Sequence, residues 1–250
     1  MLFRSYSSTE CPAPSAQSFA PFQLEPDKAV FGRYGGSKSC RECHAQAYAN
    51  WERSNHALAE RPLDPLLDQA SFAPARIVKH GSQTSEVRLA KGRFEFEALG
   101  VDGQRRAFPI ERVIGVEPLR QCLIPMGGGR YQVTELAVDP ARGDWFDVFG
   151  DEDRRPGEWG QWTGRGMTWN VMCAACHNTR LRKHYQPATD TYGTSMAEMG
   201  VGCEACHGPM ADHVQWQRKH GGPAAAGPGA NQVLSGLSWR SRASPSPRPS

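Results

Sequence analysis

The sequence predicts a mainly α-helical and irregular chain with one small antiparallel β insert, at about residues 72–140. Three observations lead there. Glycine and proline are frequent, at 26 and 19 of 250 residues, and apolar residues make up only 39%, so a limited regular core is expected. Paired cysteines fall in short stretches with helical character. Between them, one region alternates apolar and polar residues with the period of a strand.

Residues 1–36 form a leader rich in Ser, Pro and Ala, which reads as irregular. From Ser37 to about Ala59 the pattern is helical with few breakers, and Pro62 and Pro65 in "RPLDPLLD" are expected to end it. Within 72–140, "RFEFEAL" places Phe94 and Phe96 on one face, and Asp102-Gly103 signals a hairpin. "RAFPIERVI" and "YQVTELAVD" continue the pattern, so three to five strands are expected. "MGGGR" at 126–130 reads as a turn, because a phosphate loop needs a following Lys-Ser/Thr and a helix. Residues 151–170 are a Trp/Gly-rich connection whose aromatics suit either loop packing or the face of a flat cofactor. "DEDRR" at its start reads as a solvated charge cluster. Two cysteine pairs on short helices follow, to about residue 220. The expected organisation is therefore a leader (1–36), one domain (37–220) holding the β insert, and a disordered low-complexity tail (221–250).

The net charge of +3 and the absence of a basic block argue against nucleic-acid binding. No run of about 18 apolar residues is present to span a membrane. The first residues lack the apolar run of a secretory signal. Of the eight cysteines, Cys11 lies in the leader and Cys122 reads as a buried small apolar residue. The other six fall in pairs.

All three pairs have one form: "CRECH" (40–44), "CAACH" (173–177) and "CEACH" (203–207). A C-x-x-C alone is ambiguous between zinc, thiol redox chemistry and iron–sulfur clusters. Histidine is 8 of 250 residues, so three chance placements after a pair would arise in roughly one of thirty thousand shuffles. C-x-x-C-H is the attachment signature of c-type haem. On a helical turn, residues i, i+3 and i+4 share a face. Two thiols can then form thioethers with one porphyrin while the histidine ligates its iron. Cys40, Cys43, Cys173, Cys176, Cys203 and Cys206 are thus the attachment residues, and His44, His177 and His207 the proximal ligands. The competing zinc site, built from Cys173, Cys176, Cys203 and Cys206, leaves three histidines and one cysteine pair unexplained.

Low-spin haems need a second axial ligand. His213 follows His207 by six residues, about 9 Å along a helix and roughly 120° round. It is too close in the chain to wrap the same porphyrin, so it is expected to reach a neighbouring haem. His56 follows His44 by twelve residues, about 18 Å along a helix, and the same reasoning holds. His80 is the candidate for the third distal position, with Met172, an open face and further sequence as the alternatives. His184 and His220 are not assigned.

"GSKSCRECHAQAYANWERSNHALA", "WNVMCAACHNTRLRKHY" and "VGCEACHGPMADHVQW" resemble the multihaem cytochrome domain of the cytochrome c-554 type. "IGVEPLRQCLIPMGGGRYQV" resembles the β insert of long periplasmic members that continue into tetratricopeptide repeats. The resemblance covers about residues 36–218. It implies a mostly helical, loop-rich fold of closely packed bis-histidine haems, with His56 and His213 as distal ligands. It also implies a truncated or frame-shifted member, since relatives begin with a secretory signal and continue into a further C-x-x-C-H.

The expected function is electron transfer by an extracytoplasmic, periplasmic cytochrome with three covalent haem c groups and redox proteins as partners. The alternative is an oxidoreductase acting on a small nitrogen or sulfur compound at one open haem. A scaffolding role within a longer protein is a third expectation.

Overall fold

The computed structural model describes residues 24–150 and 152–221. The expectations for Cys11, for residues 1–23 of the leader and for the tail beyond residue 221 lie outside them. Helix α1 (Asp27–Phe31) falls inside the stretch expected to be irregular. Helices α2 (Ser37–Cys40) and α3 (Ala45–Trp51) follow, separated by the turn that carries the rest of the first cysteine motif. The chain then enters strand β1 (Glu60–Pro62) and helix α4 (Pro65–Phe72). Pro65 therefore starts a helix where it was expected to end one. A proline has no N–H to leave unpaired at the first helical position, and its fixed φ suits that position. Asp64 caps the helix by accepting the Leu66 N–H at 2.8 Å.

Eight strands follow: β2 (Arg76–His80), β3 (Gln83–Ala90), β4 (Arg93–Leu99), β5 (Arg105–Pro109), β6 (Arg112–Ile114), β7 (Arg120–Pro125), β8 (Tyr131–Asp139) and β9 (Asp144–Asp147). Strands β2-β3-β4-β5 form a four-stranded sheet, and β1-β6-β7-β8-β9 form a five-stranded one, all antiparallel. The last third holds α5 (Trp169–Met172), α6 (Ala174–His177), β10 (Asn178–Thr179), β11 (Tyr185–Gln186), β12 (Thr191–Tyr192), β13 (Glu198–Met199), α7 (Cys203–His207) and α8 (Ala211–His220). Strands β10 and β13 pair, as do β11 and β12.

The mainly α expectation is thus corrected. Of the described residues 25% are helical and 31% are in strands, arranged in four antiparallel sheets. The physical reason is that a C-x-x-C-H motif needs only one helical turn, so the motifs contribute helices of four or five residues. The β region is also larger than expected, with eight strands spanning 76–147 and a ninth, β1, reaching them from outside.

The five-stranded sheet is buried on both faces. On one side Phe96, Phe108, Val87, Ile124, Leu136 and Trp162 form a core shared with the four-stranded sheet. On the other, Leu123, Val133 and Ile114 pack against Met167, Trp169 and Ala174. Strand β8 shows both faces at once, with every residue from Gln132 to Val138 buried. The β region is therefore the wall on which the second cysteine motif rests. Cys122 lies in the shared core, where burial pushes its thiol far above the usual range.

Of the connection at 151–170, Trp162 and Trp169 are fully buried packing residues, and Trp159 stays exposed. The "DEDRR" cluster is partly tied down. Asp153 accepts from the Ser82 N–H and hydroxyl at 3.0 Å, and the Arg154 guanidinium lies 3.5 Å over the Phe149 ring. In the "MGGGR" turn all three glycines have positive φ, and a Cβ on Gly129 would stand 1.9 Å from the Tyr192 carbonyl oxygen. Only glycine fits there.

Candidate cofactor-attachment site

Each C-x-x-C-H motif closes one helical turn. The His44 N–H donates to Cys40 O at 2.8 Å, and the Cys176 N–H to Cys173 O at 3.1 Å. Cys203 to His207 form the single turn of α7, ended at Gly208, whose φ of 79° no β-carbon-bearing residue adopts comfortably. In each turn the two cysteines and the histidine stand at i, i+3 and i+4, so they share a face. His44, Cys176, Cys206 and His207 are exposed, and Cys40, Cys43, Cys173, His177 and Cys203 are half-buried.

Motifs one and three are bound to each other. The carboxylate of Glu204, inside the third motif, is buried and accepts from the N–H groups of Gly35 at 2.8 Å, Gly36 at 2.7 Å and Met210 at 2.6 Å. Ser37 stands between the two turns. Its hydroxyl accepts the Cys203 N–H at 2.9 Å and donates to Glu198 at 2.8 Å. Burial, with Cys203 of the third motif nearby, pushes the Cys40 thiol up to about 11. The exposed pair Glu42–Arg218 adds a link between the first motif and α8.

The segments that follow motifs one and three cross over. The His56 carbonyl accepts the Val201 N–H at 2.9 Å, two residues before Cys203, and the Trp51 indole donates to the Val201 carbonyl at 2.9 Å. The segment downstream of motif one thus lies against motif three. In return α8, which carries His213, lies against motif one. Its Ala211 N–H donates to Arg33 O at 3.0 Å, and Val214 packs on Gly35. His213 Nδ1 is buried with no protein partner among the described residues.

Motif two is held by a buried carboxylate from far away in sequence. Glu60 on β1 accepts from the Trp169 indole at 2.8 Å and the Asn178 amide at 2.6 Å, and pairs with Arg112 at 2.7 Å. The Arg112 guanidinium in turn lies 4.0 Å from the Tyr131 ring centroid and 4.9 Å from that of Trp169. Next to Glu60, the Ala59 carbonyl stands 2.8 Å from His177 Nδ1. A carbonyl only accepts, so Nδ1 carries the proton and Nε2 keeps the lone pair that a metal needs. Burial pushes the Cys173 thiol up to about 11. A cavity of 460 Å³ is lined by Phe149, Arg154, Glu158, Trp159 and Met167.

His80 is not brought to the motifs. It sits buried in β2, its Nε2 2.9 Å from the Ser85 hydroxyl and its Nδ1 3.7 Å from Glu135 and 3.8 Å from Asp147. The alternating pattern of β2 turns it into the space between the two large sheets. His184 pairs with Asp27 at 2.8 Å, and His220 stacks on Trp216 at 4.3 Å. Met172 is half-exposed beside Cys173. Sequence reasoning did not find Glu60, Glu204 or Ser37. A carboxylate inside a C-x-x-C-H turn was the one local signal for Glu204. Glu60, just past the helical-looking stretch, had none.

The residues present fit haem c. Three thiol pairs on helical turns are free, one histidine is fixed with its ligating nitrogen unpaired, and a second has a buried nitrogen without a partner. They do not fit the four-cysteine zinc site. Among the described residues, no three His, Cys, Asp or Glu side chains converge as an ion site.

Residues 39–85 and 160–208 match the family described as cytochrome c554 and c-prime. Those two segments contain all three C-x-x-C-H motifs. No curated protein matches it. Two solved structures are similar. The outer cell wall cytochrome OcwA is 20% identical with a TM-score of 0.44, over 75% of this chain and 34% of that one. The undecaheme cytochrome from the S-layer of Carboxydothermus ferrireducens is 21% identical with a TM-score of 0.43, over 77% of this chain and 22% of that one. This chain therefore spans about a third and about a fifth of those proteins. Similarities of that size carry over neither fold nor activity.

Proposed function

We propose that the chain is an electron-transfer protein of an extracytoplasmic compartment such as the periplasm, carrying three covalent haem c groups. Cys40 and Cys43, Cys173 and Cys176, and Cys203 and Cys206 hold them, with His44, His177 and His207 as proximal ligands. When bound, haem supplies one-electron chemistry at iron, and the chain sets ligand, burial and spacing. The observation that carries this reading is the crossing of the downstream segments. His56 follows motif one but lies on a segment against motif three, and His213 follows motif three but lies on a helix against motif one. Such an exchange suits distal ligation of the neighbouring haem, and the hydrogen bonds that tie motif one to motif three suit two haems held side by side. Redox proteins are the partners that such a role needs.

The test is to express the chain behind a secretion signal in a host that matures c-type cytochromes. The denatured mass should rise by three haems, and the reduced spectrum should show low-spin bands. A denatured mass without covalent haem, from a host that loads a control cytochrome, overturns the reading.

One observation favours a second reading. The chain has eight histidines, and after three proximal and two distal assignments His80, His184 and His220 are all engaged elsewhere. The haem of motif two then lacks a distal histidine from this chain. A small nitrogen or sulfur compound could bind there and be reduced or oxidised. Cyanide binding to one haem in three would support this, and its absence would leave electron transfer alone.

A further inference from the structure

Ala59 and Glu60, consecutive in the chain, touch motif two at both of its ends. The Glu60 carboxylate is fully buried. Its Oε2 accepts from the Trp169 indole at 2.8 Å, four residues before Cys173, and from the Asn178 amide at 2.6 Å, directly after His177. The same Asn178 nitrogen donates to Ala174 O at 3.1 Å, inside the motif turn. The Ala59 carbonyl stands 2.8 Å from His177 Nδ1 and also accepts the Gly115 N–H at 2.9 Å, so the imidazole is fixed by the same piece of chain. The two oxygens of Glu60 thus divide. Oε2 binds the residues that flank the motif, and Oε1 binds the Arg112 guanidinium at 2.7 Å. Burying such a pair is no gain in stability as such, because desolvation of two charges offsets their attraction, and apolar side chains of that volume would hold the strand as well. Its position against motif two gives it another use.

We propose that Glu60 sets the reduction potential of the haem held by motif two, its buried negative charge favouring Fe(III) over Fe(II), with Arg112 as a partial counterweight. The proposal rests on the haem reading. One electron converts Fe(III) to Fe(II) and lowers the positive charge at the iron by one. A fixed anion nearby loses attraction in that step, and a fixed cation loses repulsion. Removing the Glu60 charge therefore raises the potential, and removing the Arg112 charge lowers it. Away from water a unit charge is weakly screened, and its removal shifts a one-electron couple on the order of tenfold in the Fe(II)/Fe(III) ratio, about 59 mV. A purely structural role for Glu60 has a different signature. Loosening this wall in either variant admits water to the motif, water favours the more charged ferric state, and both potentials then fall.

The experiment uses the full chain matured with haem in a secreting host, as wild type, Glu60→Gln, Arg112→Gln, Trp169→Phe and the double variant Glu60→Gln with Arg112→Gln. The denatured mass first counts the haems. Spectroelectrochemical titration at one pH then gives the midpoints. Glu60→Gln should raise one midpoint by about 59 mV, and Arg112→Gln should lower the same one. Trp169→Phe keeps a ring in place and removes one hydrogen bond to the carboxylate, so it should lower that midpoint less, and it supplies the downward arm where Arg112→Gln does not mature. The double variant is an uncharged pair that can still hydrogen-bond. Its midpoint should lie above the wild type, because the lost carboxylate is the charge bound to the motif, and it supplies the upward arm where Glu60→Gln does not mature. Shifts of the same sign in the two arms, or no change beyond about twofold in the Fe(II)/Fe(III) ratio in either, overturn the proposal. A wild-type mass without covalent haem overturns the haem reading and this proposal with it, whereas three haems with unmoved midpoints overturn this proposal alone.

Discussion

Glu204 is where the link between the first and third motifs can be tested most directly. Replacing it with Gln keeps the shape and removes the charge. Oε1 accepts two N–H groups, from Gly35 and Met210, and Oε2 accepts one, from Gly36. An amide oxygen can retain the first two, but its NH₂ then faces the Gly36 N–H, donor against donor. One charge-assisted hydrogen bond is lost, and a buried donor is left unsatisfied, at a cost of about 2–4 kcal/mol. About 200 ordered residues unfold with an entropy near 0.4 kcal/mol per kelvin, so the melting temperature should fall by ~5–10 °C. The assay is thermal unfolding of the haem-loaded chain followed by circular dichroism, with Glu42→Gln as comparator. Glu42 also sits inside a motif and also pairs across it, but that pair is exposed on both sides, and its loss should not move the midpoint measurably. A Glu204→Gln shift below about 1 °C, or one matched by Glu42→Gln, would refute the view that this buried carboxylate joins the motifs.

Three further outcomes follow from the same structure. Burial raises the Glu135 carboxyl from about 4.5 to about 7, a difference worth ~3 kcal/mol, while burial keeps His80 neutral against the pull of Asp147 and Asp153. The Glu135 contribution is present below pH 4.5 and lost as pH rises through about 7, and the His80 contribution is lost as pH falls below its unfolded value near 6.5. The two mask each other, so urea midpoints at pH 5 and 7.5 should show opposite slopes in Glu135→Gln and His80→Gln; equal slopes would sink the pairing. Gly129→Ala should destabilise more than Gly127→Ala, because both have positive φ but only Gly129 faces a backbone oxygen, and equal melting temperatures would contradict this. Trp162→Ala should cost about 3–5 kcal/mol in urea unfolding, since the side chain is fully buried between the sheets and its indole donates to Leu99 O; a loss under 1 kcal/mol would mean the shared core is not where stability lies.

What could be read locally was read well. "RFEFEAL" and "YQVTELAVD" are strands from end to end, because period two is carried by neighbouring residues. The hairpin at Asp102-Gly103 forms with Gly103 at φ 72°. The mainly α reading failed because strand partners lie far apart in sequence. Glu60–Pro62, where the helical pattern was expected to end, becomes a strand by pairing with Arg112–Ile114. His80 was a candidate ligand on its type alone, and only the register of β2 shows that it faces the space between two sheets.

By itself the sequence determined where two thiols and an imidazole share one face, because C-x-x-C-H is local. Spacing of three and four residues on one helical turn brings two thiols and an imidazole to one face whatever the rest of the chain does. Tertiary structure alone decided which motifs are neighbours. Motif one meets motif three because a buried carboxylate at 204 finds backbone N–H groups at 35 and 36 and has no cheaper way to be satisfied away from water. Motif two is held on the β wall by Glu60, whose partners at 112, 169 and 178 come together only once the sheets have formed.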